Sequence, residues 1–154
     1  MKIRIATRKS DLALFQANLV AEKLIEQNDN LKVEIVPMSS GGDETDAPLH
    51  QIGGKGLFVN TLESALFRDR ADIAVHSLKD VPAKLDNGFC IAAVLKRASA
   101  GDMLLTNNGC SIKDLAINST IATSSPRRYA QIKNLYPEIK IVPIRGNIAT
   151  RISK

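Results

Sequence analysis

The sequence has 154 residues, 44% hydrophobic and 24% charged; this is ordinary for a soluble globular protein and leaves room for one compact domain or parts of two. No run approaches the roughly 18 apolar residues that span a bilayer, and the opening MKIRIATRKSDLAL carries charges where a secretory signal needs an apolar stretch, so a cytoplasmic protein is expected. The net charge of +5 is unevenly placed: through Asn118, 14 Lys and Arg face 15 Asp and Glu, whereas from Ser119 onward 7 face Glu138 alone. That asymmetry implies an anionic partner, and an aromatic content of 4% with no Trp argues against nucleic acid.

In chain order, Lys2 to Thr7 reads as a strand. Ser10 reads as an N-cap, and Leu12, Phe15, Leu19, Val20 and Leu24 at helical spacing predict an amphipathic helix to about Gln27. Leu31 to Met38 is a second strand, and the glycine pairs, proline and acidic residues of Ser39 to Gly56 predict a long mobile loop. A helix follows over Asn60 to Arg68 with Leu62, Ala65 and Leu66 inward, then short apolar strands at Ala71 to His76 and Phe89 to Leu95. The pattern breaks at Lys96 to Gly101, the expected domain crossing, which separates residues 1–98 from 99–154. Beyond it come a strand at Met103 to Thr106, a short helix near Ser111 to Leu115 and a strand at Thr120 to Ala122. A helix led by Ser125 and Pro126, a strand at Lys140 to Ile144 and a helix starting near Asn147 complete the pattern. Strand and helix alternate throughout, which predicts an α/β fold with mainly parallel sheets, flanking helices and ligand sites at the carboxyl ends of strands. The last helix has barely begun at Lys154, so a truncated chain is expected.

Four strand ends deliver cationic or polar groups. Ile5-Ala6-Thr7-Arg8-Lys9-Ser10 runs into a helix N-terminus, where free N–H groups favour an anion and Arg8 can fork onto a carboxylate; alternatively Arg8 is a solvated surface charge. Ser77-Leu78-Lys79-Asp80 follows an apolar strand, and its aspartate can face a developing cation or relay a proton, unless it merely pairs with Lys79 at the surface. Thr123-Ser124-Ser125-Pro126-Arg127-Arg128 sets three hydroxyls and two guanidiniums on a helix start, either an anion site or a plain N-cap with solvated arginines. Arg145-Gly146-Asn147 with Arg151 repeats the theme, Gly146 allowing close backbone approach. A fifth segment, Gly53-Gly54-Lys55-Gly56-Leu57-Phe58, lacks the phosphate-loop frame and reads as a hinged loop carrying Lys55 and Phe58 over a ligand. Cys90 and Cys110 lie in no zinc-ligand or disulfide pattern, and His50 and His76 are isolated, so no metal is expected.

The segments RIATRKSDLALFQ, GGKGLF, ADIAVHSLKDVP, TSSPRR and RGNIATRISK, in this order and spacing, resemble the porphobilinogen deaminase (hydroxymethylbilane synthase) family along nearly the whole chain. The resemblance implies a cytoplasmic, typically monomeric transferase of tetrapyrrole and heme biosynthesis, about twice this length. It implies three domains, the first two resembling type II periplasmic binding proteins with the active site between them. It further implies a dipyrromethane cofactor tethered to a cysteine of the third domain, an attachment context that neither Cys90 nor Cys110 matches. Porphobilinogen and the growing polypyrrole are the implied ligands: ammonia leaves porphobilinogen, and the resulting electrophile is attacked by the terminal pyrrole, four times over. On this resemblance Asp80 is the catalytic residue. Arg8, Ser10, Ser77, Lys79, Thr123, Ser124, Ser125, Arg127, Arg128, Arg145, Gly146, Asn147 and Arg151 bind substrate or cofactor carboxylates, and Lys55 and Phe58 belong to the active-site loop. The chain departs from the family at Asp11, at Gln51, which removes a loop cation, and at 98–102, where an acidic stretch is reduced to Asp102. A non-catalytic anion-binding module of the same fold, without nucleic-acid or membrane partners, is the alternative.

Overall fold

The strand β1 (Lys2–Arg8) is the centre of the amino-terminal part of the protein: it pairs in parallel with β2 (Lys32–Met38) on one side and with β3 (Ile73–Ala74) on the other. The computed structural model describes residues 1–39 and 59–154, in two compact units, Met1–Lys96 and Arg97–Lys154. The expected loop over 39–56, with Lys55, lies almost wholly outside the described residues, as does Phe58.

A central parallel strand must be covered on both faces, and successive side chains point to opposite ones. Ile5 faces α1 (Asp11–Gln27), packing with Ala17 and Ala21 and with Ile3, Val20, Leu24, Ile35 and Ile73 around them. Ala6 faces the other way, onto Leu62 and Ala65 of α2 (Val59–Phe67) and onto Ala71, with Met38, Leu66 and Ala74 beside them. Ile5, Ala6 and Thr7 are fully buried, and the Thr7 hydroxyl meets its need by donating to the Ala13 carbonyl at 3.1 Å. Pro37, which cannot donate to a ladder, is tolerated because β2 is an edge strand.

The inward face of α1 matches expectation at Val20 and Leu24 and differs at its start. Leu12 and Phe15 are exposed, and the helix lies on the sheet through Ala17, Val20, Ala21 and Leu24. Both stripes have helical spacing, so periodicity does not choose between them. Small alanines let the helix axis come close to the sheet, and the Thr7–Ala13 bond sets the rotation of the first turn.

Two expected strands are absent. Residues 89–95 and 103–106 are irregular, with Ile91, Val94, Leu95, Met103 and Leu105 exposed. Their apolar, β-branched composition matches a strand, but a strand exists only through a paired neighbour; among the described residues the ladders are β2–β1–β3 and β4–β5.

In the second unit, β4 (Thr120–Ala122) pairs in parallel with β5 (Lys140–Val142), and Ile121 and Ile139 supply its buried side chains. The expected short helix is a 3-10 turn, Ile112–Asp114, capped by Ser111. Then α3 (Pro126–Leu135) and α4 (Ile148–Ile152) follow β4 and β5 respectively. This is an α/β architecture with parallel sheets. Among the described residues no helix is long and apolar enough to cross a membrane.

Arg4 ties β1 to the segment that precedes β3. Its guanidinium donates to both Asp72 carboxylate oxygens, at 3.1 and 2.8 Å, to the Asp69 carboxylate at 2.8 Å and to the Asp69 carbonyl at 2.6 Å. The Arg4 backbone N–H also donates to Asp72 at 2.7 Å. Asp69 accepts this role in a left-handed conformation, φ 55°. The Arg4 hydrogen bonds pull the Asp72 carboxyl down to about 2. Since the unfolded group titrates near about 3.9, the pairing stabilises the fold above that pH and its contribution fades as pH falls through about 2. Arg4→Met should therefore lower the urea midpoint at pH 7, and the gap from wild type should shrink steadily from about pH 4 to pH 2. An undiminished gap at pH 2 would assign the loss to packing.

Candidate functional site

In the first unit, the polar side chains gather where β1 and β3 end. Arg8 closes β1 and is half-buried, and Ser10 stands at the N-cap of α1 in extended conformation without using its side chain to cap. Beyond β3 the chain continues through His76 and Ser77 into a 3-10 turn, Leu78–Asp80, closed by the Asp80 N–H donating to the Ser77 carbonyl at 2.9 Å. This turn leaves Lys79 exposed and Asp80 half-buried. The Ser77 hydroxyl donates to the Gln16 side-chain oxygen at 3.0 Å and so fastens the turn to the second turn of α1.

His76 registers the field at this edge. Burial is the main cause that lowers its pKa, the Asp80 carboxylate opposes that shift, and the Arg8 guanidinium reinforces it. Arg8 and Asp80 thus both act on His76, which joins the first and second of the expected segments at one sheet edge. The imidazole is held neutral at neutral pH, leaving Arg8 and Asp80 as the opposed charges.

In the second unit, the hydroxyls of 123–125 are engaged with the backbone. Thr123 Oγ accepts the Ser125 N–H at 3.2 Å, and Ser125 Oγ accepts the Arg128 N–H at 3.4 Å, capping α3 with Pro126 at its first turn. The Ser124 hydroxyl donates to the Ile144 carbonyl at 2.7 Å and accepts the Ile144 N–H at 3.0 Å, so it ties the end of β4 to the segment after β5. Thr123 and Ser125 act as acceptors in these contacts, which leave their O–H protons unused, whereas the Ser124 proton is already donated.

The guanidiniums of Arg127 and Arg128 converge on a single carboxylate, that of Asp102. Arg127 donates from both terminal nitrogens, at 2.7 and 2.9 Å, and Arg128 donates from Nε at 2.9 Å. Chiefly through Arg127, the Asp102 carboxyl is drawn down to about 2. The sequence marked Asp102 only as what remains of an acidic stretch; that it meets α3 is a tertiary fact. Gln16 is likewise a residue that sequence reasoning missed, because nothing local to it signals a partner 61 positions away.

After β5, Asn147 caps α4 by accepting the Thr150 N–H at 2.8 Å, and Arg151 Nε donates to the Gly146 carbonyl at 2.7 Å. Gly146 adopts φ 116°, and a Cβ there would lie 2.6 Å from the Thr150 methyl, so glycine is required on both counts. The close approach is thus made by Thr150. Arg145 stands beside this turn, its carbonyl accepting from Lys154 at 3.2 Å. Each unit therefore presents cationic and hydroxyl side chains at the carboxyl ends of its parallel strands.

The family model described as "Porphobilinogen deaminase, dipyromethane cofactor binding domain" matches residues 3–154. The chain is 48% identical over 153 residues to a protein named porphobilinogen deaminase from Stenotrophomonas maltophilia (strain R551-3), covering 99% of this chain and 50% of that one. It is 47% identical, with the same coverage, to proteins of that name from Xanthomonas axonopodis pv. citri (strain 306) and Xanthomonas euvesicatoria pv. vesicatoria (strain 85-10). The chain spans about half the length of the curated relatives it matches. A match that runs from Ile3 to Lys154, with near-half identity to several relatives, makes this protein a member of the porphobilinogen deaminase family.

Proposed function

We propose that the protein is the amino-terminal part of a hydroxymethylbilane synthase, the deaminating transferase that condenses four porphobilinogen units into a linear tetrapyrrole, and that alone it binds substrate without turning it over. In this reading residues 1–98 form most of a first domain and 99–154 the first part of a second, both of type II periplasmic-binding-like fold, in a cytoplasmic monomer. The observation that carries the reading is the grip of Arg127 and Arg128 on a carboxylate, the group that porphobilinogen presents twice as acetate and propionate. Such bidentate, charge-assisted contacts distinguish carboxylate geometry from general negative charge.

A dipyrromethane suits the donors present, because it too is a pyrrole N–H pair bearing acetates and propionates. Arg8, Ser10 and Lys79 in the first unit, and Thr123, Ser125, Arg127, Arg128, Arg145, Gly146, Asn147 and Arg151 in the second, are the groups that would hold its carboxylates and those of the growing chain, while Ser77 and Ser124, whose hydroxyl protons go to Gln16 and Ile144, would shape the site around them. Lys55 and Phe58 are proposed to cover it. When bound, the cofactor supplies the nucleophilic pyrrole carbon on which the product chain grows. Asp80 accepts the pyrrole N–H groups and offsets the cation that develops on the substrate as ammonia departs. Asp80 is half-buried, a setting that strengthens a charge interaction with such a cation relative to water. An anion-binding module without catalysis would have no use for a carboxylate held at such an edge.

Two outcomes test the reading. The purified chain should have the mass of the bare polypeptide, since neither exposed Cys90 nor half-buried Cys110 is taken as the attachment point; a two-pyrrole increment on either would overturn that assignment. In the chain completed with the second half of a relative, Asp80→Asn should leave porphobilinogen binding intact and reduce single-turnover ammonia release by about a hundredfold or more. Near-normal release would return Asp80 to the status of a surface charge.

A further inference from the structure

Residues 127 and 128 are neighbours on α3, so their side chains leave the helix about 100° apart. Two adjacent guanidiniums also repel. Yet both meet on Asp102, 25 and 26 residues earlier in the chain: Asp102 Oδ2 takes Arg127, and Oδ1 takes Arg127 again together with Arg128. Arg127 is additionally held one turn along by Gln131 at 3.1 Å. Asp102 is itself presented by a short turn in which Ser99 Oγ accepts the Gly101 N–H at 3.3 Å.

The contacts do not exhaust the arginines. Arg127 keeps its Nε–H, and Arg128 keeps its Nη1 amino group, while Thr123 and Ser125 keep hydroxyl protons at the start of the same helix. One carboxylate against two guanidiniums also leaves a net positive charge. The cluster is therefore able to take a second carboxylate without releasing the first.

We propose that Asp102 is a positioning residue: it draws Arg127 and Arg128 together and aims their remaining N–H groups at a carboxylate of porphobilinogen or of the growing chain. The proposal rests on the reading of Arg127 and Arg128 as ligand-binding groups. It makes a prediction opposite in sign to simple electrostatics. Removing the Asp102 charge makes the cluster more positive, so if charge alone governed binding, or if Asp102 competed with the ligand, binding would tighten. If Asp102 positions the arginines, binding weakens.

The test uses the 154-residue chain with arginine side chains observed by nitrogen–proton NMR, first without ligand and then in a titration with porphobilinogen. In the wild type, the Arg128 Nε–H should be ordered and slow to exchange. Asp102→Asn and Asp102→Ala should release it towards the behaviour of a solvated arginine and weaken porphobilinogen binding by about tenfold or more. Asp102→Glu, which retains charge and both acceptor oxygens, should recover much of both. Unchanged arginine order in Asp102→Asn, or equal or tighter binding by it, would overturn the role of Asp102. If Arg127→Ala weakens binding while Asp102→Asn does not, only the positioning role falls. Binding that ignores both substitutions, or no binding by a wild type whose arginines are ordered, would overturn the site reading and the proposal with it.

Discussion

Burial of the Ile5-Ala6-Thr7 stretch on both faces is the constraint on which the amino-terminal unit depends. A parallel strand with neighbours on both sides has no face to give to water, so α1 must cover one side and α2 the other. Parallel pairing also makes β1, β2 and β3 end at one edge, where backbone groups and helix starts are free to meet a ligand. Arg8, Ser77 and Asp80 stand at that edge for this reason. The Arg4 network then fixes the height of β3 against β1, because Asp72 is bound both through its carboxylate and through its N–H to the Arg4 carbonyl at 2.9 Å.

The second unit solves the same problem with less apolar material. Its two strands contribute Ile121 as the buried residue of the ladder, and hydrogen bonds supply much of the local order: Ser124 to Ile144, Ser125 to Arg128, Asn147 to Thr150. Those bonds use the backbone-facing sides of the hydroxyl and amide groups. The cationic ends of Arg127 and Arg128 project from a framework whose local backbone groups are already paired, so their contacts with Asp102 cost no backbone hydrogen bond.

Charge is held differently within each of the two units: in the second, Asp102 accepts from both Arg127 and Arg128. Where a guanidinium has no ligand it needs a local counter-charge to keep its direction, which is the part assigned to Asp102. In the first unit Asp80 and Arg8 both act on the half-buried His76 imidazole, with opposite sign.

Periodicity, caps and breakers within the sequence itself determined most of the helices and the paired strands. Ser125, Pro126 and Asn147 set helix starts by local hydrogen bonding and fixed φ, and Gly146 had to be glycine in a tight turn. The segments ending in Arg8, Asp80, Arg128 and Arg151 were legible as site candidates because strand-to-helix junctions carry free N–H groups wherever they occur. Tertiary structure alone decided which residues share the buried face of α1 with Val20 and Leu24, since Leu12 and Phe15 on one side and Ala17 and Ala21 on the other both continue a helical period and only the distance to the sheet separates them. It also decided that the apolar runs at 89–95 and 103–106 are not strands, because a ladder needs a partner that no local pattern specifies. For the same reason Gln16 with Ser77, and Asp102 with Arg127 and Arg128, came to light only in the fold: contacts between residues tens of positions apart leave no periodic trace in the chain.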